Sequence, residues 1–332
     1  MEKKKSQKLI EKVKLLLKKK GQKSFEIAKN TIFQEEIIYK PINEALRYFM
    51  EEIWYDVHHP ALLSLTCEAV DGSPNITTQI GAAMVLLAGA VDIHDDIIDK
   101  SEIKGSKTTL IGKFGDDIAL LVGDALLFRG LGLLYEACER LPKKQRETVL
   151  NLIKQAFFEI GSAEAKEISF KGKYDLSPEE YYKIIEMKAA VSEANARIGA
   201  ILGGGTPREI DILGCYGKTM GILMTIRDEF IDLFEPDELK NRVANECLPL
   251  PMLYAFKNEK AKSKIVSLLE KNLTENDAYK IAEIVMETEE VKELKREMKT
   301  SIANTIEKIS FIRKRDVFHE LELLLSFTIQ GL

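Results

Sequence analysis

Twelve consecutive residues, Ile80 to Val91 (IGAAMVLLAGAV), carry no polar side chain, and the chain runs on from them without a breaker into Asp92-Ile93-His94-Asp95-Asp96-Ile97-Ile98-Asp99. A helix that is apolar all round must be enclosed all round, and about 18 Å of helix is too short to cross a bilayer. The segment therefore requires a fold thick enough to surround it. It also delivers four carboxylates to the end of a buried element. Positions i, i+3 and i+4 share a helical face, so Asp92, Asp95, Asp96 and Asp99 crowd one side. Like charges this close are destabilising unless a cation joins them, and all-oxygen ligation selects a hard ion such as Mg²⁺ over zinc. A solvated acidic face suits an exposed helix far better than one preceded by twelve apolar residues.

The rest of the chain supplies helices to do the enclosing. Helical periods dominate, and the punctuation reads as caps: Ser177-Pro178-Glu179-Glu180 and Thr206-Pro207-Arg208-Glu209 each place an N-cap hydroxyl, an N1 proline and an N3 glutamate. Asp71-Gly72-Ser73-Pro74, Leu141-Pro142 and Gly203-Gly204-Gly205 mark breaks between helices. No stretch has the composition of a flexible linker and no repeat of solenoid period occurs. The expected fold is all-α, a single-domain antiparallel helical bundle over 1–332.

Residues 1–24 read as a basic N-terminal helix, with lysines around a stripe of Leu9, Ile10, Val13, Leu16 and Leu17. Docking of that stripe on the bundle is the plain expectation, and weak contact with an anionic membrane surface is the alternative. No uninterrupted apolar run reaches the roughly 18 residues of a membrane span and no signal-peptide core is evident, so a cytoplasmic location is expected. Cys67, Cys138, Cys215 and Cys247 lie far apart within apolar stretches, as buried reduced thiols would. A net charge of −5 excludes a general nucleic-acid-binding surface. Any anion site must be local.

A second acidic cluster, Asp228-Glu229-Phe230-Ile231-Asp232, lies on another apolar helix beginning near Gly217. Either cluster alone is a common surface pattern. Two of them opposed across a bundle core would clamp metal ions, with phosphate oxygens completing the coordination. That describes a diphosphate site.

The HDDIID motif at His94–Asp99, DEFID at Asp228–Asp232 and GDALL at Gly123–Leu127 resemble the trans-isoprenyl diphosphate synthase family. KAAVSEANARIGAILGG from Lys188 and CLPLPML from Cys247 extend the resemblance, in the family's order, from about residue 35 to the end. It implies an all-α bundle around a deep central pocket, usually a homodimer, with Mg²⁺ bridging both motifs to an allylic isoprenoid diphosphate. Asp95, Asp96, Asp99, Asp228, Glu229 and Asp232 would then be metal ligands. Lys188 would donate to the leaving diphosphate. Ala90 and Val91 match the pocket floor, where their small size admits a long prenyl chain.

The chain also departs from that family. Tyr55-Asp56-Val57-His58-His59-Pro60 stands where chain-elongating members carry a lysine- and arginine-rich segment for isopentenyl diphosphate, and Ile103-Lys104-Gly105 stands where they carry paired arginines. Thr225 replaces a glutamine, and Asn245 or Glu246 a lysine, for which Lys240 could compensate in part. Loss of charge-assisted bonds worth ~1.5–3 kcal/mol each weakens an acceptor diphosphate site. The expectation is therefore a terpene-synthase-like enzyme that ionises one allylic diphosphate and then cyclises it, eliminates a proton or quenches it otherwise. Asp92, where the family has an apolar residue, would act as a base or as partner to His58, His59 or a lysine. Chain elongation through an altered acceptor site, a non-catalytic partner subunit, and a phosphohydrolase using His58, His59 and His94-Asp95 as ligands are the competing expectations.

Overall fold

The computed structural model describes residues 2–36, 39–270 and 273–332, and within them sixteen α-helices follow one another through short turns. They are α1 (Glu2–Phe33), α2 (Lys40–Tyr48), α3 (His58–Ala69), α4 (Thr78–Asp99), α5 (Leu110–Phe114), α6 (Asp116–Glu139), α7 (Lys143–Phe170) and α8 (Pro178–Lys188). The second half adds α9 (Ala190–Leu202), α10 (Pro207–Asp232), α11 (Pro236–Asn245), α12 (Leu250–Ala255), α13 (Glu259–Leu269), α14 (Glu275–Glu287), α15 (Glu289–Lys308) and α16 (Arg315–Phe327). The class is all-α. Among the described residues the exception is a hairpin of β1 (Ile103–Lys104) and β2 (Lys107–Thr108), paired Ile103 to Thr108 and Lys104 to Lys107.

Helix α4 occupies the middle of the molecule. Of the run from Ile80 to Val91, only Ala88 and Val91 are not fully buried, and both line a cavity. Around α4 pack α1, α3 and α6, while α9 is sandwiched between α3 and α10. Glycine makes that sandwich tight. A Cβ on Gly199 would come within 2.3 Å of Leu63 O on α3, and one on Gly217 within 2.4 Å of Ser192 O on α9. One hydrophobic core, running from Val13 to Leu325, results.

Both expected capping boxes form, at Ser177/Glu180 and Thr206/Glu209. The second starts α10 at Pro207, so the helix bearing the second acidic cluster begins well before Gly217. The expected N-terminal helix is the first part of α1, which continues to Phe33; Met1 lies outside the described residues. Val13, Leu16 and Leu17 are buried, and Lys20 donates to Glu68 at 2.8 Å and pairs with Glu320 at 3.0 Å. The stripe thus faces protein. Cys67, Cys138 and Cys247 are buried free thiols, whereas Cys215, expected to be buried too, is exposed.

Two helical segments, Pro74–Asp99 and α6, are long and apolar enough by length and composition to cross a membrane, which the count of uninterrupted apolar residues did not anticipate. Burial separates them: 67% of the first window lies inside the protein, but only 39% of the second. On α6, Leu121, Phe128, Leu131 and Tyr135 share one exposed face by their spacing, and Phe158 of α7 is as exposed as Phe128, at 74%.

Candidate active site

Helix α4 stops directly after its last carboxylate because Lys100 takes the left-handed conformation, φ 55°. The chain then turns through the β1–β2 hairpin, where Gly105 (φ 57°) donates its N–H to Glu238 Oε1 on α11 at 3.1 Å. This fold-back lays Lys104 over the end of α4. Its Nζ stands 2.9 Å from Asp92 Oδ1 and 2.5 Å from Asp96 Oδ1. The partner of Asp92 is therefore Lys104, and neither His58 nor His59.

The second cluster meets the first across a cavity of about 470 Å³. Asp95 and Asp99 of α4 line one side, Thr225, Asp228 and Asp232 of α10 another, and Glu235, Glu238, Arg242 and Glu246 close the rim. Seven carboxylates thus face two basic groups, Lys104 and Arg242. Burial pushes Asp96 up to about 7, with Asp92 and Asp95 adding to the effect against Lys104. Burial, then Asp95, Glu246 and Glu167, push Asp99 up to about 8, and burial raises Asp228 to about 6. The surplus of negative charge would repel a diphosphate on its own.

These donors fit Mg²⁺. All are oxygens, and Asp95 Oδ1 is buried without a hydrogen-bond partner. Among the described residues no three side chains come close enough together to hold a metal by themselves. Mg²⁺ characteristically keeps waters and takes one or two carboxylates with substrate phosphate oxygens, so a half-built shell on each wall matches its habits. Asp95, Asp99, Asp228 and Asp232 are the residues placed to hold it, and Asp96, only 3% exposed, sits behind them on Lys104.

Glu229 requires a correction. It is 1% exposed, accepting from Tyr181 O–H at 2.7 Å and from the Leu250 N–H at 2.7 Å. One residue past Asp228 on a helix is a turn of about 100°, enough to point it into the core. It braces α8 and α12 against α10 and does not reach the cavity. Lys240 is also corrected, since it pairs with Asp237 at 3.2 Å and lies off the site. The cation in that region is Arg242, whose Nε bonds Asp232 Oδ2 at 2.8 Å and whose Nη1 lies 3.6 Å from Glu246 Oε2. Arg242 stands one helical turn before Glu246, and that spacing was the available signal. Thr225 does line the cavity, with its hydroxyl bonded to Gly221 O at 3.1 Å.

A second cavity of about 250 Å³ meets the first at Asp95 and runs along α4 past Asp92, Val91 and Ala88 to Met84. Those positions are one helical face, about 16 Å long. Ala90 points elsewhere, 1% exposed in packing, so Ala88 replaces it as a lining residue. Lys188, the last residue of α8, looks into this cavity and is tied to Glu164 Oε1 at 3.2 Å and to Glu167. Burial opposes its charge, yet Glu167, Asp95 and Glu164 hold the ammonium well above its ordinary pKa. Glu164 and Glu167 were not legible as site residues, being two of many acids on a long amphipathic helix.

A third cavity, also about 250 Å³, opens beside Trp54, His59 and Ser192, which line the second as well. Tyr55, Asp56 and His58 lie on its wall, so the departing segment forms a chamber adjoining the apolar one, with no lysine or arginine in its lining. Arg227 is near enough to His58 to help depress its pKa, after burial and against the pull of Asp56, and it stacks on Phe327 at 5.0 Å. His94 stands 3.5 Å from Asp124 in the GDALL stretch, and a Cβ at Gly123 would collide with it. The histidines do not converge, which removes the phosphohydrolase arrangement.

The family model described as polyprenyl synthetase matches residues 57–287. A short chain isoprenyl diphosphate synthase of Methanothermobacter thermautotrophicus is 30% identical over 219 residues, covering 63% of this chain and 66% of that protein. A geranylgeranyl diphosphate synthase of Sulfolobus acidocaldarius is 27% identical over 175 residues, 52% of this chain and 53% of that protein. The chain thus matches between about half and two thirds of these relatives' lengths. Among solved structures, a geranylgeranyl pyrophosphate synthetase from Pyrococcus horikoshii superposes with a TM-score of 0.84 at 24% identity, covering 97% of this chain and 99% of the other. That likeness carries the fold.

Proposed function

The chain belongs to the polyprenyl synthetase family, and from that premise we propose that it is a Mg²⁺-dependent trans-prenyltransferase that ionises an allylic isoprenoid diphosphate and extends it with isopentenyl diphosphate. The observation that carries this is the meeting of two carboxylate clusters over one cavity that opens, at Asp95, into an apolar channel. Bound Mg²⁺ would neutralise the diphosphate as it leaves. Asp95, Asp99, Asp228 and Asp232 would hold it. Lys188, already oriented by Glu164 and Glu167, would donate to the leaving oxygens, and Lys104 would follow once released from Asp96. Met84, Ala88, Val91 and Phe157 would exclude water from the allylic cation.

The expectation of cyclisation or elimination without a second substrate is set aside. The relatives' names are those of prenyl diphosphate synthases, and Arg227, which the sequence analysis did not single out, lies near enough to His58 to help lower its pKa. The exposed apolar face on α6, with Phe158 on α7, supports a homodimer in solution. The burial of the α1 stripe supports a soluble, cytoplasmic enzyme. The test is incubation of the purified protein and Mg²⁺ with allylic diphosphates of increasing length, each with and without isopentenyl diphosphate. Longer prenyl diphosphates formed only with isopentenyl diphosphate support the proposal. Hydrocarbon or alcohol formed without it would restore the cyclising reading, and no turnover would favour a partner subunit.

A further inference from the structure

The outer face of α1 carries a concentration of charge that the diphosphate site does not use. Residues 1–24 hold ten lysines and two glutamates in a chain whose net charge is −5. Lys20 is taken up inside, between Glu68 and Glu320. Lys8, Lys12, Lys14, Lys18, Lys19 and Lys23 remain exposed. They spread along about 22 Å of helix around Leu15, which is itself 70% exposed. Of the six, among the described residues, Lys19 alone has an acidic partner, Glu320 at 3.5 Å, and the exposed acids Glu11 and Glu26 pair with no lysine. Lys8 and Lys12, Lys14 and Lys18, and Lys19 and Lys23 each stand one turn apart, an arrangement that destabilises a helix in water. A solvated face is built differently in this same chain: on α15, Glu289 pairs with Lys292 at 2.6 Å and Glu293 with Arg296. The lysine face also adjoins the cavities. The Tyr55 O–H donates to Oε1 of Gln22, seven residues past Leu15 on the same side of α1, and the Tyr55 ring meets Phe25 edge-on at 4.9 Å. Tyr55 lines the third cavity while remaining 52% exposed, so that cavity opens beside the lysines.

We propose that the lysine face of α1 docks the protein on an anionic lipid surface, with Leu15 entering the headgroup layer and the mouth at Tyr55 turned towards the bilayer. The apolar stripe of the helix is committed to the bundle, so the attachment is peripheral and mainly electrostatic. Six exposed lysines against two glutamates leave a surplus of four positive charges on one side of a chain of net charge −5. Lysines near an anionic leaflet are attracted to it within about a Debye length, ~10 Å at 0.1 M salt, whereas the acidic remainder of the surface is repelled. This orientation alone brings the protein close. Lipid fits the face better than single-stranded nucleic acid, because residues 8–23 contain no aromatic side chain on which a base could stack and present an exposed leucine instead. Docking is independent of the prenyltransferase reading. Under that reading it has a use, since the third cavity shares Trp54, His59 and Ser192 with the apolar channel, and a prenyl product would leave next to lipid.

The experiment sediments the full chain with phosphatidylcholine vesicles, plain or containing about 30% phosphatidylglycerol. Beside the wild type stand a variant combining Lys8→Gln, Lys12→Gln, Lys18→Gln and Lys23→Gln, and its counterpart with arginine at the same four positions. The wild type should partition at least about tenfold more strongly to the anionic vesicles at about 0.1 M salt and lose that preference near about 1 M, where the Debye length falls to ~3 Å. The glutamine variant should fall to the level seen with plain vesicles, with a Tm no lower than that of the wild type because the like-charge pairs are relieved. The arginine variant should bind as the wild type does, and Leu15→Ser should weaken binding about threefold or more. Equal partition of the wild type to plain and anionic vesicles, or undiminished anionic binding by the glutamine variant, would overturn the proposal. Binding of single-stranded RNA as tight as that of the vesicles at the same salt would also overturn it, by making the face a general polyanion surface. Diphosphate release without vesicles should be the same in the wild type and the glutamine variant. A wild type that binds anionic vesicles but releases diphosphate from no allylic substrate would therefore refute the prenyltransferase reading alone, and one that turns over but ignores those vesicles would refute the docking alone.

Discussion

Replacing Lys104 by methionine should separate two duties of its ammonium. In the structure Nζ bridges Asp92 and Asp96 at 2.9 and 2.5 Å. At an effective dielectric constant of about 20, a pair at the longer distance is worth about 6 kcal/mol before screening. The lysine side chain is 41% exposed, however, and water removes most of that. Deletion should cost ~2 kcal/mol, between the values for surface and for buried pairs. For a chain of 332 residues that is a fall in Tm of about 3 °C. Saturating Mg²⁺ alone would supply the missing positive charge, so the gap should close to about 1 °C in its presence. Calorimetric titration should further show Mg²⁺ alone binding about tenfold more tightly, because the Lys104 ammonium no longer offsets the negative charge of the cavity that Asp95 lines. A non-ionising allylic thiodiphosphate should bind at least about tenfold more weakly, for want of one charge-assisted bond. An equal Tm deficit with and without Mg²⁺, together with unchanged affinity for Mg²⁺ and for the thiodiphosphate, would refute this account of Lys104.

Ala88→Phe should fill the channel one turn below Asp92, so that chromatography of products shows shorter chains with the initial diphosphate release rate retained. Glu229→Gln turns an amide N–H₂ towards either the Tyr181 hydroxyl or the Leu250 N–H, and should lower stability by ~1–3 kcal/mol in a denaturant titration while leaving Mg²⁺ affinity unchanged. A loss of metal binding there would reinstate Glu229 as a ligand. Phe128→Lys combined with Phe158→Glu should convert a dimer to a monomer in sedimentation experiments, and an unchanged mass would move the interface elsewhere.

Much of the site was legible because helices convert spacing into direction. The run from Ile80 to Val91 had to be central, and its continuation had to carry Asp95 and Asp99 to a protected place. Asp228 and Asp232, four apart, share a face for the same reason. Errors arose where direction depended on neighbours far away in sequence. Glu229 reads like Asp228 until Tyr181 and Leu250 are known to approach it, and Ala90 reads like Ala88 until the orientation of α4 is fixed by α6. Lys104 reaches Asp92 through a two-residue hairpin too short to produce a strand pattern. Asp56 looked like a lost basic residue, and its bond to His59 depends on how the loop from Trp54 docks.

The central claim is that two acidic helices act on one diphosphate through shared cations. A double-mutant cycle of Asp95→Asn and Asp228→Asn, read as affinity for the thiodiphosphate in Mg²⁺, tests it most directly. The account predicts coupling of at least ~1.4 kcal/mol, a factor of ten, in thiodiphosphate affinity, with the effects of the two changes on thermal stability adding independently when ligand and metal are absent. Simple additivity in both conditions would mean that the clusters do not share a ligand, and would contradict it.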